Sequence, residues 1–467
     1  MPPGPGGGIT IAGVDDGGSR MRTIGMILAG WVVACCAMGC ASEVVGTAPQ
    51  GSPDGGDTDN PTPPGFAPKV LASSQASGAW GSVYTIEGED LDRGSQRVAF
   101  GSPLGNPSFV ERSSPQVVSW TSTKIEVKVP FPADGPVSVG DVEAGAFVST
   151  FAVSKKGLMH GGVDPMAILA TRPGELVVAS TRNDGAGGTE GFLYRMTADG
   201  AEDEQIELRR AALLRDASGP FAVLEDEAFG HTMLSLASPG ATPAPATGLP
   251  AEYIAGSGTD ATGAYVWTAT KTTLTRHRLT ESTWTADRTI SGVYGSARVV
   301  AAAADDSITL FTSTHDGGLF DSFDNVYAQV AAPGSTQLED AESIVSDMDD
   351  STFNYRAWTK SGGRSVVRFC ATDERGVEFD GRACFYWSRE SNEAQFEPID
   401  FVQIDGNGPD AASATCEDDA LVVTAGGVKT TVLSPCRHVA AFTRDPDGKP
   451  ALLIAHLGQY HFVFAKE

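Results

Sequence analysis

The sequence predicts an all-β protein: a small β-sandwich followed by a β-propeller of six to eight blades, with seven favoured. Two observations carry this. Between residues 66 and 154, apolar and polar residues alternate with the period of half-buried strands. From about residue 160 to the end, strand-like segments recur at a spacing of about 45 residues. A third observation bears on what precedes the folded part. The apolar run in "MRTIGMILAGWVVACCAMGC" is too short to cross a bilayer.

The first twenty residues are Gly-rich and carry Asp15 and Asp16, which suit no export signal, so Met21-Arg22 reads as the start of a leader. Ile24 to Gly39 falls short of the ~20 apolar residues that a membrane helix needs. A basic start, a brief apolar centre and a small-residue exit describe a secretory signal peptide. The exit "AMGC", Ala37 to Cys40, resembles the lipobox of bacterial lipoproteins. That resemblance implies cleavage before Cys40 and acylation of its thiol, with Gly39 admitting the peptidase. Ala37 stands where the family usually has Leu, "VVAC" ending at Cys35 is a competing box, and an ordinary signal peptide is the alternative. Ala41 implies, by the same resemblance, delivery to the outer membrane of a two-membrane host. Each buried methylene contributes about 0.8 kcal/mol, so several acyl chains anchor stably where one does not. Residues 1–39 are thus upstream residues and leader. Residues 40–65 are a tether whose Pro, Gly, Asp and Thr cannot bury enough apolar area to offset ordering entropy.

A formal charge of −26 excludes sequence-independent nucleic-acid binding and polybasic attachment to anionic lipid. The membrane is then reached through the N-terminal lipid. Four cysteines lie beyond the tether: Cys370, Cys384, Cys416 and Cys436. An even count in an exported chain implies disulfides. Three pairings exist, and locality favours Cys370–Cys384 and Cys416–Cys436, each worth ~3 kcal/mol in the chain-entropy model. Zinc is the alternative, but neither CxxC spacing nor paired histidines support it.

Within 66–154, Tyr84 and Ile86 alternate with polar neighbours in "GSVYTIEGEDL", and Ile125, Val127 and Val129 do so in "TKIEVKVPFPADGPVSV". The order Gly81 to Gly88, Val98-Ala99-Phe100-Gly101, then Thr123 to Pro130 resembles the immunoglobulin-like IPT/TIG family. The resemblance covers this segment alone and implies a sandwich used for spacing or binding, with no catalytic residues.

Residues 155–467 carry the repeat, with apolar strand starts near 166, 211, 251, 297, 342, 411 and 438. Each unit reads as strand, Asp/Gly-rich turn, strand, then one or two shorter strands. About four strands per unit of 40–50 residues is the signature of propeller blades, which bury their faces only against neighbours. "AEDEQIELRRAALLRD" (201–216) would make an acceptable amphipathic helix on propensity; the flanking patterns make it two strands around a turn.

No Gly-x-Ser-x-Gly elbow, HExxH, Walker loop or dinucleotide fingerprint occurs. His456 and His461, read as one strand, face opposite ways and share no metal. "STHDGGLF" (313–320) resembles a truncated Asp-box of sialidase-like propellers, a structural turn. "DMDDS" (347–351) and "DGNGPD" (405–410) read as turns before calcium loops. Tyr265, Trp267, Trp358, Tyr386 and Trp387 could form a sugar platform or simply pack between blades. The expectation is an envelope lipoprotein that binds protein or polysaccharide without catalysis, metal or cofactor. The alternative is a glycan hydrolase or lyase with carboxylates meeting at the propeller axis. Cells fed a radiolabelled fatty acid should label the wild-type chain, and Cys40→Ser should lose the label and leave the membrane fraction. Undiminished label in Cys40→Ser would move the acylation site to another cysteine.

Overall fold

The computed structural model describes residues 68–74, 77–93, 97–159, 163–183, 189–226, 230–302, 305–317, 322–349, 353–359, 365–371, 384–388, 395–396, 403–405, 412–437 and 439–466, with backbone alone between 345 and 411. The leader, Cys40 and the tether lie outside these residues. What is described belongs to one compact unit, Pro63–Glu467.

Nine strands make the sandwich: β1 (Lys69–Ser74), β2 (Ser77–Gly78), β3 (Val83–Glu89), β4 (Arg97–Phe100), β5 (Ser108–Glu111), β6 (Val117–Trp120), β7 (Lys124–Lys128), β8 (Gly135–Val139) and β9 (Val142–Ser149). One sheet runs β1-β3-β7-β6 and the other β2-β9-β8-β4-β5, with β2 parallel to β9. This is an immunoglobulin-like order, four strands facing five. The alternation read from sequence decides which residues go inside. Tyr84 and Ile86 of β3 and Ile125 and Val127 of β7 are buried between the sheets. The Tyr84 phenol donates to the Ala144 carbonyl at 3.1 Å, tying one sheet to the other.

Beyond the sandwich, among the described residues, seven antiparallel sheets follow one another, each with its strands in meander order. Their innermost strands are Val163–Arg172, Arg210–Asp216, Tyr253–Asp260, Ser296–Ala302, Phe353–Thr359, Gln403–Asp405 and Val439–Arg444. The first four pack in succession, the fifth follows the fourth, the sixth meets the seventh, and the seventh returns to the first. That is a closed propeller, with blades 1 to 7 in chain order. In blades 1, 2, 3 and 7 the second strand carries a continuous buried run rather than an alternation, because neighbouring blades cover both its faces. Ala264 to Ala269 of blade 3 are all buried, as are Phe221 to Leu224 of blade 2. Separate cores fill the gaps between blades: Leu193 and Val177 against Leu224 and Leu234, Val223 against Val266 and Trp284, and Trp267 against Leu310.

Two of the seven starts read from sequence are displaced. The segment at 342 opens with the outer strand of blade 4, Glu342–Asp349, and blade 5 begins at Phe353. The segment at 411 is the second strand of blade 6, Ala412–Glu417. Residues 201–216 are two strands, but they belong to different blades.

Blade 7 draws three strands from the C-terminus, Val439–Arg444, Pro450–His456 and Gln459–Ala465, and its outer strand from far upstream. β10 (Phe151–Val153) pairs with Val463 to Ala465, and β11 (Leu158–Met159) continues along the same strand. Residues 151–153, placed by sequence at the end of the sandwich segment, are therefore the clasp of the ring. Ser154 extends it: its amide donates to the Phe462 carbonyl at 2.8 Å and its hydroxyl accepts the Phe462 amide at 3.0 Å.

The sandwich is fused to blades 6 and 7 through one continuous core, which includes Trp80, Phe131 and Phe151 together with Leu433, Ile454 and Val463. The Ser434 amide donates to the Trp80 carbonyl at 3.1 Å. Gly81, at φ +87°, permits this approach, since a Cβ there would lie 2.6 Å from the Ser434 side chain. Lys466 pairs with Asp134 at 2.7 Å. The reading of His456 and His461 as one strand is corrected here. They stand on adjacent strands of a hairpin turned at Leu457 and Gly458, with rings 6.0 Å apart. His456 also packs edge-on against Phe131, with ring centroids 5.1 Å apart.

Burial pushes the His456 imidazole down to about 3, with the Arg437 and His461 charges adding to the effect. The unfolded chain takes up this proton near its ordinary value of 6.5, and the folded chain does not until about pH 3. The stabilisation is therefore complete above pH 6.5 and declines as the pH falls from there. Thermal melts should show Tm falling between pH 6.5 and 5, above the carboxylate range, with a shallower slope in His456→Phe. An unchanged slope would place the titrating group elsewhere. For the clasp, Phe151→Ala should cost roughly 3–5 kcal/mol in a urea melt; a loss below ~1 kcal/mol would mean that β10 frays like a free edge.

Candidate functional site

Every inner strand begins at one end of the ring and runs to the other, where the first hairpin of its blade turns it back. The two ends differ in chemistry. At the turn end an aspartate recurs. Asp216 accepts the Ser218 amide at 2.7 Å, Asp260 the Thr262 amide at 2.8 Å, Asp305 the Ser307 amide at 2.9 Å, and Asp445 the Asp447 amide at 2.9 Å. These are Asx turns, in which a short acceptor satisfies the donor two residues on. The turn carboxylates also hold arginines. Arg278 grips Asp260 with both arms, at 2.9 and 2.8 Å, Arg276 and Arg288 meet at Asp306, and Glu175 pairs with Arg172 and Arg195. Burial alone would raise the Asp260 carboxyl. The Arg278 fork and the Thr262 hydroxyl and amide outweigh it and pull the group down to about 2. Asp260, Asp306 and Glu175 are thus paired with arginines, whereas Asp216, Asp305 and Asp445 serve turn amides.

At the start end, among the described residues of blades 2 to 4, one arginine stands on an aromatic ring with no carboxylate paired to it. Arg210 opens the inner strand of blade 2, Tyr253 that of blade 3, and Arg298 is the third residue in blade 4. The guanidinium carbon of Arg210 lies 4.0 Å from the centre of the Tyr253 ring. The Tyr253 phenol donates to the Arg298 carbonyl at 2.8 Å, so that ring is fixed. Arg209 is exposed beside them. Burial raises the Tyr253 phenol above its usual range against the lowering pull of Arg210, Arg298 and Arg209. Arg210 is half-buried, and no carboxylate among the described residues forms an ion pair with it.

Its register partner, Glu225, is engaged elsewhere. Glu225 Oε2 accepts the Ile254 amide at 3.0 Å, while Oε1 is buried with no hydrogen-bond partner. His231, the next residue across the blade, is buried 3.9 Å from Glu225 Oε2, and neither ring nitrogen has a hydrogen-bond partner. Buried polar atoms without partners are uncommon in folded proteins and call for an explanation.

A second aromatic marks this end. Tyr294, in the connection from blade 3 to blade 4, is 48% exposed and meets Tyr327 edge-on with ring centres 4.9 Å apart. Buried Gln329 pins this loop: its amide oxygen accepts the Tyr294 N–H at 2.8 Å and its nitrogen donates to the Gly292 carbonyl at 2.8 Å. Gly295, at φ +72°, follows immediately, and a Cβ there would lie 2.7 Å from the Ser313 carbonyl oxygen. Tyr294 is thus presented on a stiff loop.

The residues singled out by sequence fall elsewhere. Cys416 and Cys436 form a disulfide with Cα atoms 5.8 Å apart, tying the second strand of blade 6 to the connection into blade 7. Cys370 and Cys384 are opposite one another in backbone register, and their side chains lie outside the described residues. Tyr265 and Trp267 are buried between blades 3 and 4 beside Arg276, so they pack rather than form a platform. The side chains of Trp358, Tyr386 and Trp387 lie outside the described residues, as do most of the three Asp/Gly segments. Among the described residues no group of three or more His, Cys, Asp or Glu side chains is placed to hold a metal. Sequence reasoning missed Arg210, Tyr253 and Arg298. Their one common signal is position, within three residues of the start of a blade's inner strand.

No family model matches the chain, and no curated protein is similar to it. Solved structures share its architecture at low identity. An auxiliary nutrient binding protein from Bacteroides thetaiotaomicron aligns over 85% of this chain and 98% of its own, at 11% identity and a TM-score of 0.38. The β-propeller domain of the Trilobed protease from Pyrococcus furiosus aligns over 66% and 96%, at 11% identity and a TM-score of 0.35. A PL25 ulvan lyase aligns over 66% and 94%, at 11% identity and a TM-score of 0.30. These distant likenesses carry neither activity nor ligand, and the propeller rests on the strand pairing above.

Proposed function

We propose that this is an exported, lipid-anchored binding protein. Cys40 carries the anchor, residues 40–65 are the tether, and the IPT/TIG-like sandwich of residues 66–154 braces a propeller whose start end binds a polysaccharide or protein without catalysis. The observation that carries the reading is the contrast between the two ends of the ring. At the turn end Arg195, Arg276, Arg278 and Arg288 are held by carboxylates, whereas the start end offers Arg210 on Tyr253 and the exposed Tyr294 on a rigid loop. Aromatic faces and arginine forks are the side chains that dominate binding surfaces.

The carboxylates support the non-catalytic part. Acid catalysis of glycan cleavage uses a carboxyl whose pKa is raised. Among the described residues, every carboxyl with a shifted pKa goes down: Glu126, Glu175, Asp199, Asp260, Asp287, Asp305 and Glu417. Each is held by a neighbouring cation, hydroxyl or amide, as structural carboxylates are.

The test uses the compact unit, Pro63–Glu467, on a glycan array, with chromatography of the same glycans after prolonged incubation. Binding is expected without shortened products. Accumulating fragments would replace this reading with the glycan-active enzyme.

A further inference from the structure

This inference rests on the binding reading and names the ligand class. We propose that the start end of the ring, at blades 2 to 4, binds an acidic saccharide, with Arg210 as the residue that takes its carboxylate or sulfate.

Three independent features converge there. The first is charge. In a chain of formal charge −26, Arg209, Arg210 and Arg298 gather around one phenol, with Glu225 the one carboxylate among the groups acting on it. The second is geometry. The Arg210 guanidinium carbon lies 4.0 Å from the Tyr253 ring centre and no carboxylate among the described residues pairs with it, so its N–H groups can form a two-pronged contact with a planar anion. Every other arginine described as meeting a carboxylate here, such as Arg278 on Asp260, forms that contact within the chain. Arg210 has the same fork, with no anion paired to it among the described residues.

The third feature is the set of polar atoms behind it. Glu225 Oε1 lacks a donor, and His231 lacks partners at both nitrogens, though each is fully buried. A bare anion would meet Arg210 but offer Glu225 nothing. A sugar acid brings the anion together with hydroxyls, which complement a carboxylate and an imidazole of this kind. Tyr294, exposed at the same end, offers a flat face against which a pyranose ring can stack. A neutral glycan would use the tyrosines and leave Arg210 unmatched, and a protein ligand would need only an acidic side chain.

The decisive measurement is titration calorimetry of Pro63–Glu467 with four probes: tetragalacturonate, a sulfated carrageenan tetrasaccharide, neutral cellotetraose and sodium sulfate. One acidic tetrasaccharide is expected to bind at least about tenfold tighter than cellotetraose and than sulfate alone. Which of the two binds separates carboxylate from sulfate recognition. Arg210→Ala should erase the advantage, and Arg210→Lys should retain only part of it, because an ammonium keeps the charge and loses the fork. Thermal melts of both variants guard against misfolding; if the alanine variant fails to fold, the lysine variant carries the test. Equal binding of cellotetraose, no binding of either acidic probe, or full affinity in a folded Arg210→Ala would overturn the proposal. Neutral-glycan or protein binding indifferent to Arg210 would do so while leaving the binding reading intact. Cleavage of an acidic probe would instead end the non-catalytic reading and keep the site, with Arg210→Ala then raising KM.

Discussion

The pairing of β10 with the last strand of the chain is the constraint on which the rest depends. A blade is a sheet with two apolar faces, and neither can be left to water. In a row of blades the two end faces would stay bare, so the row must curve until they meet. Closure joins segments about three hundred residues apart, at an entropic cost that grows only with the logarithm of the loop. The return is large in comparison. Leu158, Tyr460 and Phe462 share one core with Leu176 and Met196 of blade 1, while Phe151 and Val153 join the core on the other flank of the same blade. Each fully buried side chain of this kind contributes roughly 1.5–3 kcal/mol. The clasp is short, and the two cores it completes are not.

The same clasp explains why the sandwich is no loose appendage. β9 ends at Ser149 and β10 begins at Phe151, so no linker separates them. Once Phe151 is locked into blade 7, the sandwich has to lie against the ring, and its Trp80 and Phe131 fill the junction. A hydrogen bond from the Trp80 indole to the Ala133 carbonyl, 2.8 Å long, satisfies the buried ring nitrogen without water. The result is one body from residue 68 onward.

Legibility of the sequence follows from how local each interaction is. Strand alternation and the Asp-containing turns depend on neighbours two to four residues away, so "DASG", "DATG" and "DPDG" could be read directly as hairpins. Blade phase was harder. Blade 6 opens on the three residues Gln403–Asp405, which carry no apolar run, so the apolar Ala412–Glu417 looked like the start. The clasp was invisible because Phe151-Ala152-Val153 reads as the last strand of whatever precedes it, and its partner lies at the other end of the chain. His456 and His461 were misjudged for a related reason: "HLGQYH" contains a two-residue turn, and a turn reverses the rule that odd spacings face apart. The candidate site was the least legible part. Arg210, Tyr253 and Arg298 belong to three blades, and only ring geometry brings them together.

Burial on both faces also limits where recognition can occur on such a ring. Side chains on second and third strands belong to the gaps between blades, as Trp267 and Leu274 do, and cannot change without opening a core. The turn end is constrained in another way, because its carboxylates satisfy turn amides and arginines at once. Removing Asp260 would leave the Thr262 amide without its acceptor and Arg278 with Asp287 alone. The start end is less bound. Among the described residues Arg210 is held by a ring face rather than a countercharge. A cation on an aromatic keeps its position while its hydrogen-bonding edge stays unsatisfied, which is a poor arrangement for stability and a good one for capture. The asymmetry in how the two ends treat their arginines is thus the physical ground for assigning recognition to the start end.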